Sequence, residues 1–510
     1  MGNNASTHTS SYSARRVPPP SESTDSFNEK EYLQNEDLVN RLQTHLNLDD
    51  YARNQGPSTF KDLPNPIVAE NINSWESDIL STPKNLFAMN AFTKNEPKKL
   101  LTKRSSNIKD NENIFNLKVD FEGNPVTNQK SSGRCWLFAS TNIFRIPVQK
   151  KFNISDFQLS QQYLFFYDKL EKSNQFLTNI IDTAEDDLDA RVVSTLFADP
   201  ISDGGQWTMV VNLIEKYGIV PNTVFPDAYS ATSSGTLNLV LVNKLKQDAL
   251  VLRKLVTNKR TSKEEILELK EKYLKEVYKV LTLTLGVPPK ADESFSWEFV
   301  DKFDNFHRID VTPVEFFKKF VGWDLKNYVS LIHDPRNEYY KLYSVDKLNN
   351  VVGGEPVLYI NVPLDDMKEA VIKNLKNNQA VFFGSDVGKF FSGEEGILDL
   401  DNHDYELGFD IQLKLSKAER LRTHTSQMTH AMVITGVHMQ DGKPVRWRVE
   451  NSWGKDSGKD GYLVMTDSWF DEYVYQAVTD LSHVDKKIET IYKGEIFKTF
   501  NLWDPMGSLA

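Results

Sequence analysis

The spacing of apolar residues divides the chain into three stretches. Up to about residue 68 apolar positions are sparse. The first 35 residues are rich in Asn, Ser and Thr and carry Pro18-Pro19-Pro20. Such a segment cannot bury enough surface to offset its ordering entropy, so 1–68 is expected to be a disordered extension. Within it, Leu38, Leu42, His45 and Leu46 recur at helical spacing and predict a short helix inside 36–54, before Pro57, Pro64 and Pro66 break the pattern. The second stretch is mainly helical. An apolar run after Cys135 predicts a helix to about Phe144 that ends before Pro147, and Ser160 opens another. Met209 to Tyr217 forms a third. Leu237, Leu241, Leu245, Ala249 and Leu252 mark one helix of a hairpin, and the capping box at Ser262-Lys263-Glu264-Glu265 opens the next. We read 236–325 as a mainly helical insertion. The third stretch alternates with period two. His430 to Val437, Arg446 to Asn451 and Gly461 to Met465 read as strands, with Asp441-Gly442 as a hairpin turn. Earlier strands are expected at Ile114–Asp120, Val357–Val362 and Ala380–Phe383, with a helix from Leu364 to Leu375. The fold class is α+β, a helical half followed by a β half.

Composition narrows this picture. A chain of 510 residues accommodates several domains, or one domain with large insertions. Its 39% hydrophobic and 26% charged residues are ordinary for a globular protein. A net charge of −11 provides no global basic footprint for nucleic acid, although it is blind to a local groove. No apolar run approaches the roughly 18 residues of a membrane span. A single cysteine rules out an intrachain disulfide and fits a reducing compartment. The N-terminus lacks the apolar core of a secretory signal. Arg15 and Arg16 are too few, and Glu22, Asp25 and Glu29 too acidic, for a transit peptide, so a cytoplasmic location is expected. Met1-Gly2-Asn3-Asn4-Ala5-Ser6 fits the N-myristoylation pattern, which would make Gly2 a lipid acceptor and give weak peripheral membrane attachment. Chance matching in a Ser/Thr-rich tail is the alternative, and the mass of the N-terminal peptide separates the two.

The candidate chemistry centres on the sole cysteine. Cys135 follows Gln129 by six positions, with the turn-prone Ser131-Ser132-Gly133 between them and an apolar run after it. That places the thiol at a helix start, where the partial positive charge favours thiolate. By itself, a lone cysteine is as readily a small buried hydrophobe. A nucleophilic thiol also needs a base, a group to orient the base, and donors for an oxyanion. Of nine histidines, only His430 begins an apolar strand and is followed by a small residue, with Asn451-Ser452-Trp453-Gly454 ending a later strand. His424 with His430 could suggest metal ligands, but one cysteine and no carboxylate–histidine helix motif argue against it, so no metal or cofactor is expected. Gly204-Gly205, taken alone, is a tight turn.

Taken together, Gln129, Cys135-Trp136, His430-Ala431 and Asn451-Ser452-Trp453-Gly454 resemble the papain-like cysteine peptidases. Two departures narrow the match. Arg134 stands where papain-type chains have serine, and 295 residues separate Cys135 from His430, against about 130–150 in papain-type chains. Both are features of the bleomycin hydrolase branch. Tyr167–Lys172, Met428–Met432, Val449–Gly461 and Trp503–Gly507 resemble that branch too, most closely its fungal members, over about 70–510.

The resemblance implies a papain-like fold in 69–510, with Cys135 as nucleophile and His430 as general base and then acid. Asn451 would orient the imidazole. Gln129 and the Cys135 N–H would form the oxyanion hole, and Trp453 would shield the Asn–His bond. Gly204 and Gly205 become a substrate-backbone site. Residues 500–510 become an arm in the cleft, with the Ala510 carboxylate facing a substrate's free amine. The implied activity is a cysteine aminopeptidase acting on peptides with a free N-terminus, assembled as a homohexamer. A non-catalytic papain-like scaffold, possibly binding nucleic acid in a basic channel, is the alternative. Salt-dependent DNA retention would favour it.

Overall fold

The computed structural model describes residues 67–110, 112–258 and 260–510. Gly2, the helix expected within 36–54 and nearly all of the 1–68 extension lie outside the described residues. Residues up to Phe87 and those from Ala88 onward form separate compact units. The described part of the first contains the helix Ala69–Ser81, which buries none of its residues. The rest of the description concerns the second unit.

The helical half is built on Cys135–Phe152, a helix whose first eleven residues are all buried. It continues through Pro147, where the sequence pattern predicts a stop. Proline forfeits one backbone hydrogen bond. Here the turn beyond it is held by buried Val148 and by Gln149, whose amide donates to Asn124 O and Ser155 O, both at 2.9 Å. The left-handed Asn153 then ends the helix. Ser160 caps the helix Gln161–Asp182 by accepting from Tyr163 N at 3.0 Å. Gly235–Val256 and Lys263–Leu285 form the expected hairpin, the second opened by the Ser262/Glu265 capping box. The leucines 237, 241, 245 and 252 are 0–2% exposed. Each contributes about 1.5–3 kcal/mol by burial, which is what seats the hairpin. The long helices of 236–325 end at Leu285, and a short helix, Pro313–Phe316, opened by a Thr312/Glu315 capping box, follows later in that stretch. Residues 295–300 and 306–311 pair as an antiparallel ribbon, Phe295 opposite Val311, with Trp297 stacked on Phe299.

The β half is a 12-stranded sheet. At its centre His430–Gln440 pairs with Val381–Ser385 on one side (His430 opposite Ser385) and with Lys443–Glu450 on the other (Val433 opposite Glu450). Tyr462–Thr466 continues the sheet, with Glu450 opposite Tyr462. Asp441 and Gly442 both have positive φ, as a two-residue hairpin turn requires. The strand expected at Ile114–Asp120 is regular only over Leu117–Lys118, which pairs with Val437 and Gly436. Asn116 bonds Met439 through its side chain, and Asp120 N donates to Asn378 Oδ1, so side chains replace the ladder at both ends.

One buried ion pair ties the halves together. Arg145, on the Cys135 helix, bonds Glu450 at 2.9 Å, with the two side chains 1% and 2% exposed. Glu450 immediately precedes Asn451. Burial pushes the Glu450 carboxyl up to about 7, against the pull of Arg145. A carboxyl whose value rises on folding binds more protons folded than unfolded, so its burial costs stability as pH climbs from about 4 towards 7. Arg145→Met removes the pull and extends that window upward. The variant should lose about 3–5 kcal/mol, with a greater loss at about pH 8 than at about pH 5, read from denaturant midpoints. An equal loss at both would contradict the pairing.

Candidate active site

Cys135 is the first residue of its helix and is 2% exposed. Burial pushes its thiol up to about 11, while the N–H groups of Ala431, Trp136 and Cys135 itself act to lower it. The thiol and His430 line the same cavity of about 780 Å³, together with Gln129, Gly204 and Ala510. Burial lowers the His430 imidazole to about 4, and its bond to Asn451 acts the other way.

The hydrogen bonds fix the imidazole tautomer. Asn451 Oδ1 accepts from the backbone N–H of Ser452 at 2.8 Å, so that atom is an acceptor. The same oxygen lies 2.8 Å from His430 Nε2. Nε2 therefore carries a proton, and Nδ1 is the basic nitrogen. The Trp453 ring lies 4.8 Å from the His430 ring, tilted by 31°, and covers that side of it.

Gln129 is oriented with equal definition. Its Oε1 accepts from Ser452 Oγ at 2.7 Å, and its Nε2 donates to Ser132 O at 2.7 Å. The second Nε2–H is uncommitted. The backbone joins the same two loops: Gln129 N donates to Ser452 O (2.8 Å) and Gly454 N donates to Thr127 O (3.0 Å), which pairs Asn128 with Trp453 as an antiparallel bridge. Gly454 sits at φ +85°, and a Cβ there would meet Asn128 Nδ2 at 2.6 Å, so the motif's last residue must be glycine.

Arg134 is fully buried. Its guanidinium makes two parallel 2.9 Å bonds to Asp227, a third to Ser132 Oγ, and lies over Phe138 and Phe165. Ser132 Oγ in turn donates to Gln129 O at 2.7 Å. Arg134 thus anchors the loop that carries Gln129. Its partner Asp227 lies 93 positions away with no motif around it, and the sequence offered no signal for it.

The glycine pair has two distinct tasks. A Cβ on Gly205 would lie 2.4 Å from the Trp136 ring, so Gly205 is required by packing. Gly205 N donates to Ala510 O at 3.0 Å, and Ala510 N donates to Gly205 O at 3.3 Å. A Cβ on Gly204 would meet Ala510 O at 2.8 Å. Further along the arm, Ser508 accepts from Gln206 Nε2 (2.6 Å) and donates to Met428 O (2.6 Å). Asp504 pairs with Arg336 at 2.8 Å. The C-terminal residue is buried in the same cavity as the thiol and the imidazole.

Residues 66–507 match the model of the peptidase C1-like family. The chain belongs to that family. It is 42% identical over 458 residues to the protein named "Cysteine proteinase 1, mitochondrial" of Saccharomyces cerevisiae, covering 88% of this chain and 94% of the relative. It is 41% identical over 455 residues to human bleomycin hydrolase, covering 87% and 99%. Among solved structures, PepW from Lactobacillus rhamnosis HN001 superposes with a TM-score of 0.83 at 42% identity, over 87% of this chain and 99% of that one. The papain-like α+β fold and the cysteine peptidase class follow from this membership.

In this peptidase the Asn451 amide should hold one imidazole tautomer. Ring ¹⁵N shifts of His430 are expected to show Nε2 protonated throughout, with only Nδ1 titrating. In Asn451→Ala the two nitrogens should become interchangeable. A wild-type ring with its proton on Nδ1 alone would contradict the geometry.

Proposed function

We propose that this cysteine peptidase is an aminopeptidase that removes single residues from free peptide N-termini through a Cys135 acyl-enzyme. The observation that carries this reading is the pairing of Ala510 with Gly205 beside the thiol. The arm fills the substrate strand on one side of Cys135, leaving space for one residue before the scissile bond. The chain's terminal carboxylate then faces the substrate's ammonium. The names of the relatives, cysteine proteinase and bleomycin hydrolase, support amide hydrolysis more generally.

In the proposed sequence Cys135 Sγ attacks the carbonyl carbon and its proton passes to His430 Nδ1. The oxyanion is held by the free Gln129 Nε2–H and the Cys135 N–H. His430 returns the proton to the departing amine as the C–N bond breaks. Water then attacks the thioester with His430 as base, and the acid product leaves as the thiol is re-formed. Asn451 keeps Nδ1 aimed throughout, and Trp453 keeps water from the Asn–His bond. The resemblance further leads us to propose a homohexamer, which light scattering of the full chain tests.

Cys135→Ala should abolish hydrolysis of aminoacyl substrates, and activity surviving in it would sink the mechanism. Lengthening the chain beyond Ala510, or removing Leu509 and Ala510, should replace one-residue trimming with internal cleavage. An unchanged product ladder would remove the arm from the account.

The pH profile supplies a further test. The productive state holds one proton on the Cys135–His430 pair, whichever atom bears it. kcat/KM should therefore fall as acid adds a second proton, with a midpoint near about 4. A free-amine substrate should add an alkaline limb at about 8, where its ammonium is lost. The arm-shortened variant acting on an N-blocked peptide should lack that limb.

A further inference from the structure

Asp203, next to the glycine pair, is the point where three parts of the site meet. Its Oδ2 accepts from the Gly133 N–H at 3.1 Å, two residues before the thiol. Its main-chain oxygen accepts from Trp136 Nε1 at 2.7 Å, one residue after the thiol. It leads directly into Gly204-Gly205, which holds Ala510. A Cβ on Gly133 would meet Asp203 Cβ at 2.8 Å, so the two segments are in van der Waals contact.

The carboxylate is itself held by several donors. Lys169 Nζ lies 2.7 Å from Oδ1, and Asn238 Nδ2 donates to Oδ1 at 2.8 Å. Ser234 Oγ donates to Oδ2. Burial would raise the Asp203 carboxyl, but the Lys169 charge and these donors hold it far below the usual range. Lys169 is fully buried and also bonds Ile201 O at 2.7 Å. One turn along the same helix, Lys172 pairs with Asp168 at 2.7 Å and donates to Ser202 O and Gly204 O. The helix therefore places two buried ammonium groups beneath residues 201–204. No step of the mechanism uses any of them.

We infer that Asp203, neutralised by Lys169, is a positioning residue that locks the oxyanion loop to the substrate strand, so that Gly133, Trp136 and Gly205 keep one mutual geometry. The inference rests on Cys135 being the nucleophile. Asp203 touches no reacting atom and acts through the Gly133 N–H. Asn at this position cannot replace it: an amide offers only one acceptor oxygen, while donors face both carboxylate oxygens. Whichever way the amide turns, an N–H meets a donor.

The experiment uses the full-length chain. Asp203→Asn should lower kcat about tenfold to a hundredfold while KM changes less than about threefold. A second readout is alkylation of Cys135 by iodoacetamide against pH, followed by mass; the chain has one cysteine, so the signal is unambiguous. The charged and titratable groups around Asp203 are Lys169, with Asp168 and Lys172 on the same helix, and the Cys135 thiol. Asp203 acts on the thiol to raise it. Its neutralisation should move the alkylation midpoint to lower pH; wetting of the buried thiol would do the same, so the shift supports the role when the thermal midpoint is unchanged and counts against it when the thermal midpoint falls. Asn238→Ala, on a half-exposed helix face, removes one support and should lower kcat about threefold with the thermal midpoint unchanged; it decides the matter if Asp203→Asn does not fold. Wild-type kcat in either folded variant, or equal losses in kcat and in folded fraction, overturns the role. Failure of the underlying nucleophile reading shows separately, as activity in Cys135→Ala.

Discussion

Two backbone hydrogen bonds between Thr127–Gln129 and Ser452–Gly454 hold this active site together. They join segments more than 300 positions apart, one leading into the thiol's helix and the other following the strand that ends at Glu450. Everything the chemistry needs hangs on that seam. Gln129 and Ser452 share both a backbone bond and a side-chain bond, and the Ser452 N–H holds Asn451, so the Gln129 and Asn451 amides are fixed to one another. Asn142, from the Cys135 helix, adds a bond to Thr127 Oγ1 at 3.0 Å. A cleft between two halves would otherwise be free to open by rotation. Here the contacts that join the halves also carry the site, and the tolerance for misplacement is small, because displacements of about 1 Å cost large factors in rate.

The charges buried around the seam follow the same logic. Arg134–Asp227 ties the start of the Cys135 helix to a loop, Arg145–Glu450 ties that helix to a strand, and Lys169–Asp203 ties a helix to a loop; Lys172–Asp168 lies within one helix, whose Lys172 reaches the loop through Ser202 O and Gly204 O. A buried ion pair is poor value as stabilisation, since desolvation offsets most of the attraction. Apolar residues of equal volume would hold these contacts as strongly but without direction. The guanidinium of Arg134 accepts one geometry of Asp227 and, through Ser132, one position of Gln129. The placement of the four pairs around one cleft is what a need for orientation rather than strength would select.

What the sequence made legible follows from whether a residue's role is local. The capping box at Ser262, the leucine stripe of 237–252 and the hairpin turn at Asp441-Gly442 depend on near neighbours, and the structure has them where the pattern puts them. Cys135, His430 and Asn451 were recognisable as a set because each sits in a short motif. Asp227 and Asp203 were not, because their meaning lies in partners 93 and 70 positions away. Pro147 failed as a stop signal for a related reason. The local rule prices one lost hydrogen bond, whereas the packing of Val148 and the bonds of Gln149 decide the outcome. The Leu117–Lys118 strand was overextended in the pattern because alternation persists in burial even where side chains, not backbone, make the bonds.

In the proposed aminopeptidase the arm sets specificity without adding catalytic chemistry. Ala510 pairs with Gly205 through two backbone bonds, the way an extended peptide adds to another segment's backbone. A substrate segment competing for that loop backbone meets an intramolecular occupant. Tethering raises the occupant's effective concentration to the millimolar range or above for a short connection. The tether here is firm, because Asp504 pairs with Arg336 and Ser508 bonds both Gln206 and Met428. On the proposed reading the arm competes with long peptides for one side of the thiol, and a free amine gains the contact the arm leaves open. The glycine pair, a plain turn when read by itself, is required on one side by the Trp136 ring and on the other by the arm's last residue.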